Sequence, residues 1–512
     1  MPANAQDWWE AETAHFIVKS RSSEADTRAF AEELERYDGA LRTLQNIPAD
    51  DGELIPANKV TIFRFGDQGD IAHIAGLPGS GIAGFYISRA GNSVAFVPAR
   101  EERQSRSIVR RDNRTALDGM SVLKHEYAHH FMMQYFPGAY PRWYVEGYAE
   151  TVATIRFLED GSFHVGDPPQ YRSAQVMRMP GFRLREMLDA NHELSYRDAI
   201  QHYGTGWLLS HYLNFDDEGR TKLAEFLSAL AAGEDSLTAA ERILGDLNAL
   251  DRKLMSYRRG NFPGFNVKPA DYTAPVVTMR RMPADEAALI RQKMELWRGI
   301  RKKDAPGIRN AIQARIGNFP ESVEAHLLLA EASYDAEDYD AAEAAAAKAV
   351  ALDPGSVRGW LHRGMAATRK AKADPDAAPA LADLARAHFA EAARLEPDDP
   401  RPLIGYYKTY LELGQDAPEP ALIALETAFE HAGSDAEYRY ILTRQLLTEG
   451  RFSDARTVIM PAAFDGHSTG EADADEDDPT PQRLLTAIEA QDAQTAIEMI
   501  DKMLEPEDED DA

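Results

Sequence analysis

The spacing of hydrophobic residues along the first 100 positions predicts a mixture of strands and helices. Runs rich in β-branched and aromatic residues predict four strands, at 14–20, 60–65, 82–87 and 93–97. Residues 25–44 instead place leucine, alanine and phenylalanine at helical spacing. The last two strands are separated by a short loop that contains Gly91, which predicts a β-hairpin.

From about residue 117 to residue 260 the pattern becomes helical. One helix is predicted to begin near Asp118 or Ser121 and to end before Pro137, and a second to cover 143–158. Four more helices are predicted, at 196–215, 219–232, 236–244 and 248–258. Residues 261–284 contain four prolines and little periodicity, so they are predicted to be a linker.

The C-terminal part contains an internal repeat. The segment that begins at Pro320 recurs at Pro354, 34 residues later, and this is the period of tetratricopeptide repeats. A second unit covers 357–397, where nine extra residues around 371–380 predict a longer turn between its helices. Further units are predicted at 285–316, 400–433 and 436–460. Residues 285–465 therefore resemble a tetratricopeptide array, which implies an all-α solenoid whose concave face binds a protein partner.

The charge balance disfavours some classes of partner. The 512 residues include 56 Lys and Arg against 84 Asp and Glu, and the net charge of −28 argues against nucleic acid and anionic lipid. This length predicts two or more domains. Residues 466–512 are predicted to be an acidic tail with a short terminal helix. No run of 18 apolar residues occurs, so no transmembrane segment is predicted.

The chain contains no cysteine, which excludes disulfides, thiol nucleophiles and Cys-type zinc sites but does not fix the compartment. Its first residues lack the basic start and apolar core of a signal peptide. However, Ala3-Asn4-Ala5 has the small-x-small pattern that precedes cleavage sites. Two expectations stay open: a periplasmic or secreted protein whose signal peptide was removed, and a cytoplasmic protein.

The segment with the most specific chemistry is His-Glu-Tyr-Ala-His, on the first of the predicted helices. His125 and His129 are four residues apart and share one helix face, so both can hold one metal ion. Glu126 lies between them, close enough to act on a water at that ion. Glu146 follows on the second predicted helix after 16 intervening residues. It is the natural third ligand of a single Zn²⁺, because catalytic zinc takes two His and one carboxylate and keeps a fourth position open.

This pairing of helices resembles the gluzincin metallopeptidases, which include the thermolysin-like enzymes and the zinc aminopeptidases. The sequence pattern Trp143…Glu146-Gly147…Ala149 is close to that of the second helix in the aminopeptidases. The resemblance covers residues 8–260 and implies an α+β, zincin-like metallopeptidase domain. Its α/β part would lie in 1–110 and its mostly helical active-site half in 111–260.

The resemblance also implies roles for individual residues. His125, His129 and Glu146 would be the metal ligands. Glu126 would be the general base that takes a proton from water and passes it to the leaving amine. Glu150 takes the place of the acidic residue that hydrogen-bonds a ligand histidine in these families, although some relatives have Asp there.

A donor to the oxyanion is expected near residue 203. In the zinc aminopeptidases, a Tyr followed three residues later by Gly supplies this phenol. Tyr203 and Gly206 fit that spacing, but Thr205 stands where Lys is usual. Tyr203 is therefore the candidate donor, with His202 as a substitute.

The expected function is that of a zinc metallopeptidase whose repeats bind the substrate or a partner protein. One strand of the predicted hairpin would offer its edge to an extended peptide. No Gly-x-Met-Glu-Asn motif for binding a substrate amino terminus precedes the two histidines, which favours an endopeptidase. Two alternatives stay open: a repeat scaffold with a weakly active or inactive zinc domain, and a metal-dependent amidase that acts on a non-protein substrate.

Overall fold

The computed structural model describes residues 8–48, 54–100, 118–172, 183–189, 196–270, 272–464 and 478–505. The triplet at 3–5 and much of the predicted acidic tail lie outside the described residues. The strands are β1 (Trp9–Glu12), β2 (Phe16–Ser20), β3 (Val60–Phe65), β4 (Phe85–Ile87), β5 (Val94–Pro98), β6 (Arg156–Phe157), β7 (Phe163–Val165), β8 (Phe265–Val267) and β9 (Thr278–Arg281).

Helices form most of the described structure. Those of the first half are α1 (Glu24–Gln45), α2 (Gln68–Ile74), α3 (Gly119–Tyr135), α4 (Arg142–Ala153), α5 (Leu184–Leu188), α6 (Tyr196–Asn214), α7 (Asp217–Ala231), α8 (Ser236–Leu244) and α9 (Leu247–Tyr257). The second half, here named the repeat array, contains α10 (Ala284–Arg298), α11 (Ala305–Ile316), α12 (Val323–Asp335), α13 (Tyr339–Leu352), α14 (Val357–Ala373), α15 (Ala378–Leu395), α16 (Pro400–Glu412), α17 (Glu419–His431), α18 (Ala436–Thr448), α19 (Phe452–Ala463), α20 (Pro481–Glu489) and α21 (Ala493–Leu504).

The main sheet has six strands in the order β4-β5-β3-β2-β1-β9. Strands β2, β3 and β5 are parallel, because α1 and α2 carry the chain back between them. Strands β1, β4 and β9 pair antiparallel with their neighbours. The predicted hairpin is confirmed as β4 and β5, and β4 forms one edge of the sheet.

Both faces of the central strands of this sheet are buried. On β3, Ile62 points into a core formed with α1 and α3, whereas Phe63 points into a core formed with α2 and the repeat array. Phe63 stacks on Phe96 of β5 and meets Trp297 of α10 at 6.1 Å between ring centres. The first half and the repeat array therefore share one hydrophobic core across the predicted boundary at residue 285.

The segment predicted to be a linker, 261–284, contributes a strand to each sheet. Strand β8 pairs with β7 in a small sheet of β6, β7 and β8, and β9 pairs with β1 at the far edge of the main sheet. The prolines that suggested a linker flank the strands and do not interrupt them. In β9, Arg280 donates two hydrogen bonds to the buried carboxylate of Glu10.

The repeat array is a solenoid of antiparallel helix pairs, and six pairs lie within the described residues. The insertion around 371–380 lengthens the helices rather than the turn between them. Helices α14 and α15 have 17 and 18 residues and are joined by residues 374–377 alone. Five of the ten residues at 371–380 are alanines, which continue a helix readily.

The last pair, α20 and α21, replaces the single terminal helix that was predicted within the tail. Thr480 caps α20 at its N-terminus, and Leu484, Ile488 and Ile500 join the core of the preceding repeats. These apolar residues lie between two runs of acidic residues, at 471–478 and 505–511, whose charge concealed the helical spacing. Among the described residues, no helix is long and apolar enough to cross a membrane.

Candidate metal centre

Helix α3 carries the two histidines on one face. Asp118 caps its N-terminus, since its carboxylate accepts a hydrogen bond from the amide of Ser121 at 2.7 Å. On another face of α3, Ala128 and Phe131 pack into the core beneath the sheet. With this neighbouring face buried, the histidine face is turned toward α4, which packs against α3.

Helix α4 lies against α6 at two glycines. A Cβ added at Gly147 would lie 2.6 Å from the carbonyl oxygen of Gly206, and one added at Gly206 would lie 2.7 Å from that of Trp143. Only glycine permits this approach, because the obstructing atoms belong to the backbone. The close crossing brings His202 and Tyr203 of α6 within the electrostatic influence of Glu146.

Three donor atoms converge between α3 and α4. The Nε2 atom of His125 lies 3.1 Å from Nε2 of His129 and 3.3 Å from Oε2 of Glu146. The Nε2 atom of His129 lies 3.7 Å from the same oxygen. A tetrahedral zinc ion with bonds of ~2.0–2.1 Å holds its ligand atoms about 3.4 Å apart. The types of donor and their spacing therefore fit such an ion.

The electrostatics of this group favour a positive charge. Burial disfavours a charged imidazole, but the hydrogen bond to Glu146 and the charge of Glu150 outweigh burial and raise the pKa of His125 to about 9. Burial alone would raise the pKa of Glu146, yet His125 and His129 hold that pKa well below its usual value. Both shifts have one cause. The fully buried carboxylate requires a neighbouring positive charge, which a proton on the imidazoles or a metal cation can supply.

Glu150 is placed beside His125 but does not hydrogen-bond it. Its Oε1 lies 3.7 Å from Nδ1 of His125, which is longer than a hydrogen bond. Its oxygens are taken by two other side chains: Tyr171 donates to Oε2 at 2.6 Å, and Arg172 donates through Nε to Oε1 at 2.7 Å. The hydrogen bond expected from the family resemblance is thus replaced by an electrostatic contact.

Tyr171 and Arg172 were missed by the sequence analysis. They lie in a short 3-10 turn, Gln170–Arg172, in a stretch without hydrophobic periodicity, and no motif marks them. Arg172 also places its guanidinium carbon 4.6 Å from the centre of the Tyr203 ring. It therefore links Glu150 to the candidate oxyanion donor.

Tyr203 and His202 both lie near the centre. Burial and the charge of Glu146 raise the pKa of Tyr203, against the opposing effect of Arg142, to which Tyr203 is hydrogen-bonded. Burial, and then the positive charge of Arg142, lower the pKa of His202 to about 4. At neutral pH, both side chains are therefore in the neutral form that can donate a hydrogen bond.

Glu126 is partly exposed, unlike the three converging residues. Helix α3 packs against the edge strand β4, and burial and, to a smaller extent, the charge of Glu126 raise the pKa of Tyr86 on that strand. Tyr86 in turn has its Oη 2.8 Å from Nδ1 of His130 on α3. The partly exposed carboxylate of Glu126 therefore lies within electrostatic reach of both His125 and Tyr86 of the edge strand.

A second group of possible ligands, His15, Glu35 and Asp38, is satisfied without a metal. His15 Nδ1 lies 2.7 Å from Glu35, and Arg42 donates through Nε to Asp38 at 2.6 Å. The phenol of Tyr127 donates to the other oxygen of Asp38 at 2.8 Å. The guanidinium already supplies the positive charge that these acids need, so this group is an ion-pair network that braces α3 against α1.

Comparison with known proteins gives few relatives. No protein-family model matches the chain, and no curated protein matches it. Among solved structures, the chain is similar to a thermophilic TPR protein of Thermus thermophilus, with 16% sequence identity and a TM-score of 0.30. That similarity covers 40% of this chain and 93% of the other.

Proposed function

We propose that residues 8–260 form a gluzincin-like metallopeptidase unit and that the protein is a zinc-dependent hydrolase of peptide bonds. The observation that carries this proposal is the convergence of His125, His129 and Glu146, with separations of 3.1–3.7 Å, beside the accessible Glu126. When bound, Zn²⁺ polarises a carbonyl and lowers the pKa of water from about 15.7 toward about 7.

The side chains around the centre have complementary roles in this proposal. Glu126 accepts a proton from the attacking water and delivers it to the leaving amine. Tyr203 donates its phenol hydrogen to the oxyanion, and neutral His202 is the alternative donor. Glu150 holds negative charge beside His125, and Arg172 fixes the orientation of Glu150 and of the Tyr203 ring.

The substrate class follows from the edge of the sheet. Strand β4 is an edge strand of three residues and packs against α3. An extended peptide that pairs with β4 would run past Glu126 toward the converging donors. An unfolded segment of a protein is therefore the expected substrate, and cleavage within the chain is the expected mode.

Two variants test the proposal. Glu126→Gln should retain one equivalent of zinc, measured by mass spectrometry of the metal, and should lose hydrolysis of casein. His129→Ala should lose the zinc itself. Glu225→Gln, exposed on α7, is the matched control and should behave as wild type in both assays. If Glu126→Gln hydrolysed casein as fast as wild type, Glu126 would not be the general base.

A protein-binding scaffold is the second candidate, and the repeat array favours it. Helices α12, α14, α16 and α18 line a concave groove that contains a cavity of about 310 Å³. A panel of unfolded proteins and peptides, assayed with and without chelator, separates the two functions. Stoichiometric zinc without chelator-sensitive cleavage of any of them would support the scaffold.

A further inference from the structure

The groove of the repeat array contains a segment of the same chain. The loop that joins β4 to β5, residues 88–93, lies at its rim, and Arg89, Ala90 and Asn92 form part of the cavity wall. We name this segment the hairpin loop. Its sequence is Ser-Arg-Ala-Gly-Asn-Ser.

The array holds the hairpin loop through specific polar contacts. The amide of Ala90 donates a 2.6 Å hydrogen bond to Oδ2 of Asp435, while Oδ1 of Asp435 caps α18 by accepting from Tyr438. The guanidinium of Arg89 donates to the carbonyl of Trp297 at 2.7 Å. The repeat array therefore binds the hairpin loop at two separate points, one at a backbone amide and the other at a cationic side chain.

The small residue after Ala90 is also recognised. Gly91 has a φ of +63°, and a Cβ there would lie 2.5 Å from Nε of Arg401. Arg401 cannot easily withdraw, because it is held by two hydrogen bonds of 2.9 and 2.7 Å to the fully buried Asp399. The groove therefore accepts the hairpin loop only with glycine at this position.

An acidic wall lies next to Arg89. Burial lowers the pKa of Arg89, and the charges of Glu331, Asp435 and Asp335 oppose that effect. Burial and the neighbouring Glu331 raise the pKa of Asp335 to about 7, against the influence of Arg89. Glu331 is also paired with Arg358 at 3.2 Å, so Asp335 and Asp435 are the carboxylates that favour a cationic side chain at this point of the groove.

The hairpin loop is continuous with the edge strand that faces α3. Strand β4 ends at Ile87, one residue before the hairpin loop, and its Tyr86 contacts His130, the residue after His129. Release of the loop would therefore loosen β4. An effect of loop release on hydrolysis is expected only if the function proposed above is correct. Binding of the hairpin loop in the groove does not depend on that function.

We propose that the concave groove recognises peptides with a basic residue followed by small residues, and that the hairpin loop occupies it as an internal ligand. A partner segment of the same chemistry competes with the hairpin loop for Asp435 and for the acidic wall. Tethering gives the hairpin loop an effective concentration on the order of millimolar, so it masks the groove in the free protein.

The test uses the full-length protein and the capped hexapeptide Ser-Arg-Ala-Gly-Asn-Ser as the probe. Gly91→Ala adds a methyl group against Arg401 and should expel the hairpin loop while the groove is unchanged. Gly414→Ala is the matched control, because Gly414 has the same φ of +63° but no neighbouring atom within 4 Å. Both variants carry the same backbone strain, and only the first carries the clash.

We expect Gly91→Ala to bind the hexapeptide at least about tenfold more tightly than Gly414→Ala, measured by calorimetry. Hydrogen exchange of the amides in 85–98 should also be faster in Gly91→Ala. A hexapeptide with Gln in place of Arg should not bind, and Asp335→Asn added to Gly91→Ala should weaken binding of the original hexapeptide.

Equal hexapeptide affinity and equal hydrogen exchange in the two glycine variants would overturn the proposal. Tight binding of the Gln hexapeptide would overturn the part that concerns charge. Neither measurement requires zinc or turnover, so failure here is distinguishable from failure of the proposed hydrolase.

Discussion

The approach of α4 to α6 at Gly147 leads to a quantitative prediction. In Gly147→Ala, the new methyl group would lie 2.6 Å from the carbonyl oxygen of Gly206 and 2.7 Å from Cβ of Ser210. Relief of these contacts requires the helices to separate by several tenths of an ångström. Overpacking of this kind costs about 1–3 kcal/mol, and the better helix propensity of alanine offsets about 1 kcal/mol of it. We therefore expect the free energy of unfolding to fall by up to about 2 kcal/mol.

The same displacement should weaken metal binding, because α4 also carries Glu146. Metal constellations tolerate shifts of only about 0.5 Å, and disturbed supporting contacts typically cost about 10–100-fold in affinity. Zinc affinity should be measured by competition with a chromogenic chelator, and stability by urea unfolding of the metal-free protein. Gly39→Ala is the control, since this glycine lies within α1 and has no neighbouring atom within 4 Å.

We expect Gly39→Ala to be as stable as wild type or up to about 1 kcal/mol more stable, with unchanged zinc affinity. If Gly147→Ala matched this control in both stability and zinc affinity, the glycine crossing would not be what positions Glu146.

Three further predictions follow from single side chains. Tyr203→Phe should keep its zinc and lose about 10²–10³-fold in kcat, measured on a peptide substrate; an unchanged kcat would assign the oxyanion donor elsewhere. Burial works against the charge of Glu10, but Lys19 and Arg280 outweigh burial and lower the pKa of Glu10 from 4.5 to about 2. This stabilises the fold by roughly 3 kcal/mol above pH 4.5, and the contribution is lost as the pH falls from 4.5 to about 2. Urea unfolding of Glu10→Gln and wild type should therefore differ at pH 7 and converge near pH 2; a gap that does not depend on pH would contradict the assignment. Phe63→Ala should cost about 3–5 kcal/mol, and calorimetry should still show the sheet and the repeat array unfolding together. Separate transitions in wild type would show that the shared core does not couple them.

Local features of this fold were predictable because their signals are local. The strands around Val18 and Ile62 and the α3 cap at Asp118 follow from β-branched runs and capping chemistry within a few residues. The helical units follow from a 34-residue recurrence. Helix geometry alone places His125 and His129 on one face of α3. A short loop between α3 and α4 then brings Glu146 to them.

What could not be predicted depends on contacts between distant parts of the chain. No feature of residues 170–172 indicates that Arg172 binds Glu150, because the pairing exists only after the chain has folded back. The same is true of Arg89 and Trp297, which are 208 residues apart. The second helix was predicted to reach residue 158 but ends at Ala153, where Thr154 hydrogen-bonds the carbonyl of Asp167 and redirects the chain.

The pairing of β9 with β1 has a consequence for synthesis on the ribosome. Trp9 is paired across the sheet with Arg281. Strand β1 therefore has no partner on this edge until β9 has been synthesised, some 270 residues later. At typical rates of about 5–20 residues per second, that interval lasts roughly 15–50 s. During this time the free edge of β1 and the aromatic face of β3 are exposed to other chains. Co-expression of a chaperone that binds nascent strands should therefore raise the yield of this protein. Truncation before residue 281 should yield insoluble material.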